Sequence, residues 1–286
     1  MVTGAAGLVG RALTRRFALA RVPSPREAGR GWPEGPGEGR EVIALTHSDL
    51  DITDRDAVRR RIAELRPDLV INCAVVGVDA CEDDPKLAHA VNVAGPRNLA
   101  EVAPAMVHFS SNYVFDGREQ KLYAIDDAAN PINEYGRTKL EGERAVAAAC
   151  RNACIVRSSW IFGPGKESFI STVHQQLRQG RSVRAVSDVW ASTTYVDDLV
   201  LRLVEMVEQR EYGLHHVVNA GVCSNATFAL EAARLVSASG ELVQSVSTRE
   251  AHRVPRPRYT PLRGMPPLRD WREALAAYIQ ADRGAP

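Results

Sequence analysis

Lysine is nearly missing from this chain. Of its 36 basic residues only Lys86, Lys121, Lys139 and Lys166 are lysines; the rest are arginines, a bias that with abundant alanine fits a GC-rich bacterial genome. A lysine in a chemically meaningful pattern therefore stands out. An excess of charge is missing too. The 36 basic and 35 acidic residues leave a net charge of +1, which removes the electrostatic case for a nucleic-acid or anionic-membrane partner. No apolar run reaches the ~18 residues of a membrane span, and no signal peptide precedes Gly4, so a soluble, cytoplasmic protein is expected. Cysteine is sparse: Cys73, Cys81, Cys150, Cys154 and Cys223 form no CxxC and have no histidine at zinc-ligand spacing. Free thiols in a reducing compartment, and no metal site, are the expectation.

What is present suits a large α/β domain, or one domain with a smaller appendage: 286 residues, 45% of them hydrophobic. The chain opens on a short apolar segment, Met1-Val2-Thr3, then Gly4-Ala5-Ala6-Gly7-Leu8-Val9-Gly10 and a helix-like run over residues 11–20. Gly4 permits a tight turn after a strand, Gly7 lets backbone approach a pyrophosphate at a helix N-terminus, and Gly10 lets that helix pack closely on a sheet. The spacing is GxxGxxG, a looser signal than GxGxxG. Far downstream stands Tyr135-Gly136-Arg137-Thr138-Lys139. Tyr and Lys at i, i+4 share one helix face, and the ammonium should draw the phenol pKa down towards the working pH. A phenol so placed exchanges a proton with a carbonyl or alcohol oxygen, and a hydroxyl from Ser110-Ser111 can hold the same oxygen. With a nicotinamide opposite, this is a hydride-transfer site.

Four more stretches complete the pattern: Asp49-Leu50-Asp51-Ile52-Thr53-Asp54, Val107-His108-Phe109-Ser110-Ser111-Asn112-Tyr113-Val114-Phe115-Asp116-Gly117, Arg157-Ser158-Ser159-Trp160-Ile161-Phe162-Gly163 and Trp271-Arg272-Glu273-Ala274-Leu275. Together with the glycine loop and YxxxK they resemble the extended short-chain dehydrogenases/reductases, and within them the dTDP-4-dehydrorhamnose reductase family, from Val2 to about Ile279. The resemblance implies a Rossmann-type, doubly wound parallel sheet over residues 1–156. Residues 157–286 would complete that core and form a small substrate-binding region. It implies reduction of a 4-keto-6-deoxy sugar on a nucleoside diphosphate, with dTDP as the expected carrier. Ser111, Tyr135 and Lys139 would be catalytic; Gly4, Gly7, Leu8, Val9, Gly10, Asp51, Ile52, Ala74, Tyr135 and Lys139 would contact the cofactor. Ser110, Ser111, Asn112, Tyr135, Trp160 and Arg256 would contact substrate. The partners implied are a nucleotide sugar and a second copy of the chain in a homodimer.

The chain also departs from that pattern. The first strand is short for the family, so that either the natural start lies upstream or the strand is clipped. Residues 22–40, rich in Gly, Pro, Arg and Glu, read as an exposed, mobile insertion that could be deleted without loss of folding. After the second strand, Glu41–Leu45, stands Thr46-His47-Ser48, with no carboxylate to hold ribose hydroxyls. That favours NADPH, with NADH also usable. Ala74-Val75-Val76-Gly77-Val78-Asp79 lacks the family's Thr, and Asn112 stands where relatives have Asp. Pro85 to Glu101 reads as one helix, carrying an Asn92 that the superfamily uses structurally. The rival readings are a non-catalytic dinucleotide-binding subunit like the methionine adenosyltransferase β-subunit, and a nucleotide-sugar epimerase or dehydratase.

Overall fold

The computed structural model describes residues 1–19 and 42–283; the expected mobile insertion at 22–40 lies outside the described residues. The first half alternates: β1 (Val2–Thr3), α1 (Leu8–Leu19), β2 (Ala44–Leu45), α2 (Arg55–Leu65), β3 (Val70–Asn72), α3 (Val78–Asp83), α4 (Pro85–His89), α5 (Gly95–Ala100), β4 (Met106–Ser111), α6 (Glu134–Ala149) and β5 (Ala153–Ser158). The second half adds β6 (Ile161–Phe162), α7 (Phe169–Arg178), β7 (Val183–Val186), β8 (Trp190–Ala191), β9 (Thr194–Tyr195), α8 (Val196–Gln209), β10 (Gly213–His216), β11 (Asn219–Ala220) and α9 (Asn225–Leu235). It closes with β12 (Val243–Val246), α10 (Thr248–Ala251), β13 (Tyr259–Thr260), β14 (Leu268–Asp270) and α11 (Trp271–Arg283).

Six strands form one parallel sheet in the order β10-β5-β4-β3-β1-β2. Their side chains alternate between two cores, as strand geometry requires. Ile71, Val107, Cys154 and Val156 face a cluster built from α1, α7, α8, α9 and α11. Val70, Met106, Ala153 and Ile155 face the cluster of α2, α5 and α6. The sheet is thus wound on both faces. The chain reverses direction across the sheet between β1 and β3, and the crevice outside the carboxyl ends of these strands is where such folds bind ligands. The late elements pair among themselves as β7–β12, β8–β13, β6–β9 and β11–β14, yet Trp271, Leu275 and Ile279 of α11 sit in the same core as Val2 and Leu13.

Residues 85–101 do not make one regular helix. A π turn over Ala90–Ala94 separates α4 from α5. Pro96 supplies the reason: it has no N–H for the carbonyl of Asn92, four residues back, and the backbone widens there. The Asn92 carbonyl is met by α6 at Gly142, where a Cβ would stand only 2.3 Å from it. The Asn92 side chain ties three segments together. Its amide nitrogen donates to Val76 O and Thr138 Oγ1, and its Oδ1 accepts from Val76 N. The start of α6 is fixed by Asn133, whose Oδ1 accepts from Gly136 N at 2.9 Å.

One turn beyond Lys139 on α6, Glu143 makes a buried two-pronged pair with Arg157 of β5 at 2.8 and 2.7 Å. Arg157 also lies over the Phe115 ring. Two charges removed from water hold only while both are present. Glu143→Ala alone should therefore destabilise the fold by about 3–5 kcal/mol in urea unfolding, whereas Glu143→Leu combined with Arg157→Met should recover most of that loss. Near-wild-type stability of the single variant would contradict this.

Candidate active site

A cleft of about 640 Å³ lies over the carboxyl ends of β1, β3, β4 and β5, within the usual range of about 300–1,000 Å³ for ligand sites. Gly7–Arg11 form one wall, Cys73–Val75 the floor, and Phe109–Tyr113 with Tyr135 and Lys139 the facing wall. The glycine loop turns at Gly4 with φ +63°, and a Cβ on Gly10 would stand 2.4 Å from Gly4 O. The first turn of α1 can lie this close to the strand end only with glycine there, which leaves the loop backbone facing the cleft.

Tyr135 and Lys139 both reach the cleft from α6, and Ser111 borders it from the end of β4, close enough to Tyr135 to act on its pKa. The electrostatics differ from the sequence expectation. The Tyr135 phenol is not lowered; burial pushes it up to about 12, with the Ser111 hydrogen bond opposing. Loss of solvation is the largest cause, and Tyr113 and Cys81 add to it. The same burial pulls the Lys139 ammonium down to about 8, opposed by Glu143. Near neutral pH the pair is a neutral phenol beside a cation that titrates just above the physiological range. Cys73 borders the cleft, but burial raises its thiol to about 12, so it stays protonated.

Ser110 and Ser111 both border the cleft although strand alternation sends them to opposite sides. Ser111 Oγ donates to Asn112 Oδ1, while Ser110 Oγ is buried without a partner. Asn112 explains its own departure from the family residue. Its side-chain amide donates to Thr260 Oγ1 at 2.7 Å in a buried position, a bond that places no ionised carboxylate out of water. The segment lacking the family's Thr is held instead by its backbone through Asn92, and Val75 presents half-exposed apolar surface to the cleft.

A smaller cavity of about 270 Å³ adjoins the cleft and shares Val78, Tyr113, Trp160, Ile161 and Lys166 with it. Trp160 stands between the two with φ +36°, a backbone conformation that costs a bulky residue roughly 1–3 kcal/mol. Strain of this kind persists where the side chain has a task. Arg256 lines the smaller cavity; its Nη2 pairs with Asp79 at 2.7 Å and its Nη1 is buried with no partner.

Not every sequence-proposed contact meets the cleft. Gly4 forms the turn behind the wall. Asp51 accepts from Thr53 N and Thr53 Oγ1, and Ile52 is buried with its carbonyl bonded to Asn98, so neither borders the cleft. The end of β2 is not free of negative charge either. Asp49 folds back onto Thr46, accepting from its N–H at 2.8 Å and its hydroxyl at 2.6 Å, and these bonds hold its pKa below the ordinary carboxylate value. Sequence reasoning passed over Tyr113, Arg11 and Lys166. The scarcity of lysine that favours Lys139 applies equally to Lys166. Among the described residues no group of side chains could hold a metal ion, and no helix is long and apolar enough to cross a membrane.

A family model described as the RmlD substrate binding domain matches residues 33–283. A dTDP-4-dehydrorhamnose reductase of Mycolicibacterium smegmatis is 40% identical over 301 residues, spanning 100% of this chain and 86% of that protein. The crystal structure of a dTDP-4-dehydrorhamnose reductase from Clostridium acetobutylicum matches with a TM-score of 0.86 at 33% identity, covering 99% of this chain and 98% of that one. Another from Bacillus anthracis, in complex with NADP, matches with a TM-score of 0.84 at 28% identity, covering 98% of each chain. Glycine loop, Ser111, YxxxK helix and strained Trp160 thus lie within a whole-length likeness, and the chain belongs to the RmlD family, the dTDP-4-dehydrorhamnose reductase group of the extended short-chain dehydrogenases/reductases.

Proposed function

We propose that this protein uses NADPH to reduce the 4-keto group of a nucleotide-linked 4-keto-6-deoxy sugar, with dTDP as the carrier, to the 4-hydroxy sugar. The observation that carries this reading is the convergence of Ser111, Tyr135 and Lys139 on the wall of a cleft facing the glycine loop, with a second cavity opening beside them. The residues fit a dinucleotide: the loop backbone from Gly7 to Gly10 can approach a pyrophosphate, and Lys139 is placed to hold a ribose. When bound, NADPH supplies the hydride. Reductases of this group are oxidoreductases acting on nucleotide sugars, and homodimerisation is part of the same reading.

Each side chain then has one task. Ser111 holds the carbonyl oxygen and polarises the bond. Hydride arrival at the carbonyl carbon places negative charge on that oxygen, and the Tyr135 hydroxyl delivers its proton there. An alkoxide is a much stronger base than a phenolate, so a phenol with a pKa near 12 remains a competent donor, and its elevated pKa keeps it protonated beforehand. The Lys139 ammonium stabilises the phenolate left behind. Trp160 packs on the sugar, and Arg256 with its unpartnered Nη1 faces the diphosphate side.

Tyr135→Phe removes one oxygen and leaves the ring. Its turnover, followed by NADPH oxidation with dTDP-4-keto-6-deoxy sugars, should fall by roughly 100-fold or more, with NADPH binding retained. Lys139→Met should lower turnover and cofactor affinity together, and the losses in Ser111, Tyr135 and Lys139 variants should not add. Near-normal turnover by the Phe variant would refute the assignment. A wild type that binds NADPH and a protein partner but reduces no sugar would favour the regulatory-subunit reading.

The lowered Lys139 pKa fixes a pH dependence. The useful form is the cation, which is present below about 8 and lost above it. Reduction should therefore be flat from neutrality to about pH 8 and decline above, and Lys139→Met should lack that limb. An unchanged limb in the Met variant would assign it to another group.

Cofactor choice is testable at β2. Thr46→Asp puts a second carboxylate beside Asp49 and should weaken NADPH relative to NADH by about tenfold, the equivalent of roughly 1.4 kcal/mol. Asp49→Asn should shift preference the other way. Ratios of kcat/KM unmoved by both variants would place the discrimination elsewhere.

A further inference from the structure

The cation that lines both cavities and has no assigned task is Lys166. It sits in Gly163-Pro164-Gly165-Lys166-Glu167, the loop between β6 and α7. That loop is fastened across the cleft: Arg11, in the first turn of α1, donates to Ala6 O and to Gly165 O. One guanidinium thus joins the glycine loop to the residue next to Lys166. Gly165 has φ +78°, and a Cβ there would press on the same guanidinium at 3.1 Å.

Charge around Lys166 is unbalanced. The smaller cavity is bordered by Lys166, Arg256 and His252 and by no carboxylate; Glu167 borders only the larger cleft. Asp79 engages one nitrogen of Arg256 and leaves the other buried and unpartnered. Lys166 is exposed to solvent at the mouth of both cavities, and the packing around it lowers its pKa. An ammonium with no carboxylate on its cavity and an orphaned guanidinium nitrogen beside it form a place for an anion of high charge.

We propose that Lys166 is a diphosphate-binding residue, held at the junction of the two cavities by the Arg11–Gly165 bond. The inference rests on the reductase reading, since both partners of that reaction carry a diphosphate: the dinucleotide in the cleft and the sugar nucleotide in the smaller cavity. Arg11 acts through the loop, as a positioning residue.

The test is direct binding to the full chain, with no turnover required. NADPH affinity is read by fluorescence titration; dTDP and thymidine affinities are read by calorimetry, for wild type, Lys166→Met, Lys166→Arg and Arg11→Met. Lys166→Met should weaken at least one diphosphate ligand by about tenfold, the scale of a lost charge-assisted hydrogen bond. Thymidine binding should not change, and Lys166→Arg should restore most of the affinity. Arg11→Met should reproduce part of the same loss while leaving the ammonium in place. A loss confined to dTDP assigns the contact to the substrate diphosphate, and one confined to NADPH assigns it to the cofactor. Unaltered affinity for both in Lys166→Met overturns the proposal. A wild type that binds NADPH but neither dTDP nor a keto-sugar nucleotide would defeat the reductase reading, while Lys166 is still judged on NADPH. Wild-type protein that bound neither ligand would overturn both.

Discussion

The reacting end of this molecule depends on how closely α6 approaches the segments that precede it. Tyr135 and Lys139 face the cleft because α6 is pressed against the π turn at Gly142 and against the 112–114 turn at Gly136, where a Cβ would stand 2.2 Å from Tyr113 O. Pro96 leaves the Asn92 carbonyl unbonded within its helix, and the close approach of α6 occurs at that carbonyl. The Asn92 side chain fastens Thr138 of α6 to Val76 beside the cleft floor. α6 and the cleft floor therefore share one asparagine, and a shift of either displaces the other.

Burial then sets the chemistry. The same contacts that locate Tyr135 and Lys139 remove them from water, and desolvation moves the two pKa values in opposite directions, the phenol up and the ammonium down. Glu143 works against this on the lysine side, and it can be buried only because Arg157 meets it with two nitrogens. Arg157 in turn lies against His216, which burial, with Arg157 adding, holds neutral down to about pH 4. A row of buried polar groups thus runs from the cleft into the sheet. It adds little to stability in itself, and its value lies in the single arrangement of charges it enforces.

Which of these features could be read in the sequence follows from how local their cause is. YxxxK places two side chains on one helix face whatever surrounds them, and the glycine turn constrains its own backbone, so Ser111, Tyr135, Lys139 and Gly7–Gly10 were legible. Alternation and punctuation by Gly and Pro made β1 to β5 of the parallel sheet legible in the same way, but not β10 (Gly213–His216). The pKa of Tyr135 was not, because burial by distant segments sets it. Asp49 was discounted because it lies past the end of β2; its return to Thr46 is a turn geometry. The π turn was hidden because Pro96 looks like an ordinary helix breaker until the fate of the Asn92 carbonyl is followed. Tyr113 and Lys166 gain meaning only when the second cavity exists, and that cavity is assembled from 160–170 and 252–256, far apart in the chain.

The two cavities meet at Trp160, and its strained backbone shows why they are not independent. A bulky residue at positive φ relaxes unless its neighbours hold it. Trp160 O accepts from Thr194 N, and Trp160 borders both cavities together with Tyr113, whose ring lies edge-on to Tyr135. From Trp160 the chain continues through β6 into the loop that Arg11 fastens to the dinucleotide wall. In the proposed reading, a sugar ring seated on Trp160 lies beside Tyr113 and near Tyr135, on a segment tied at its far end to the glycine loop. On that reading, exchange of the sugar's carrier or ring substituents would act on turnover through the same few contacts that border the glycine loop.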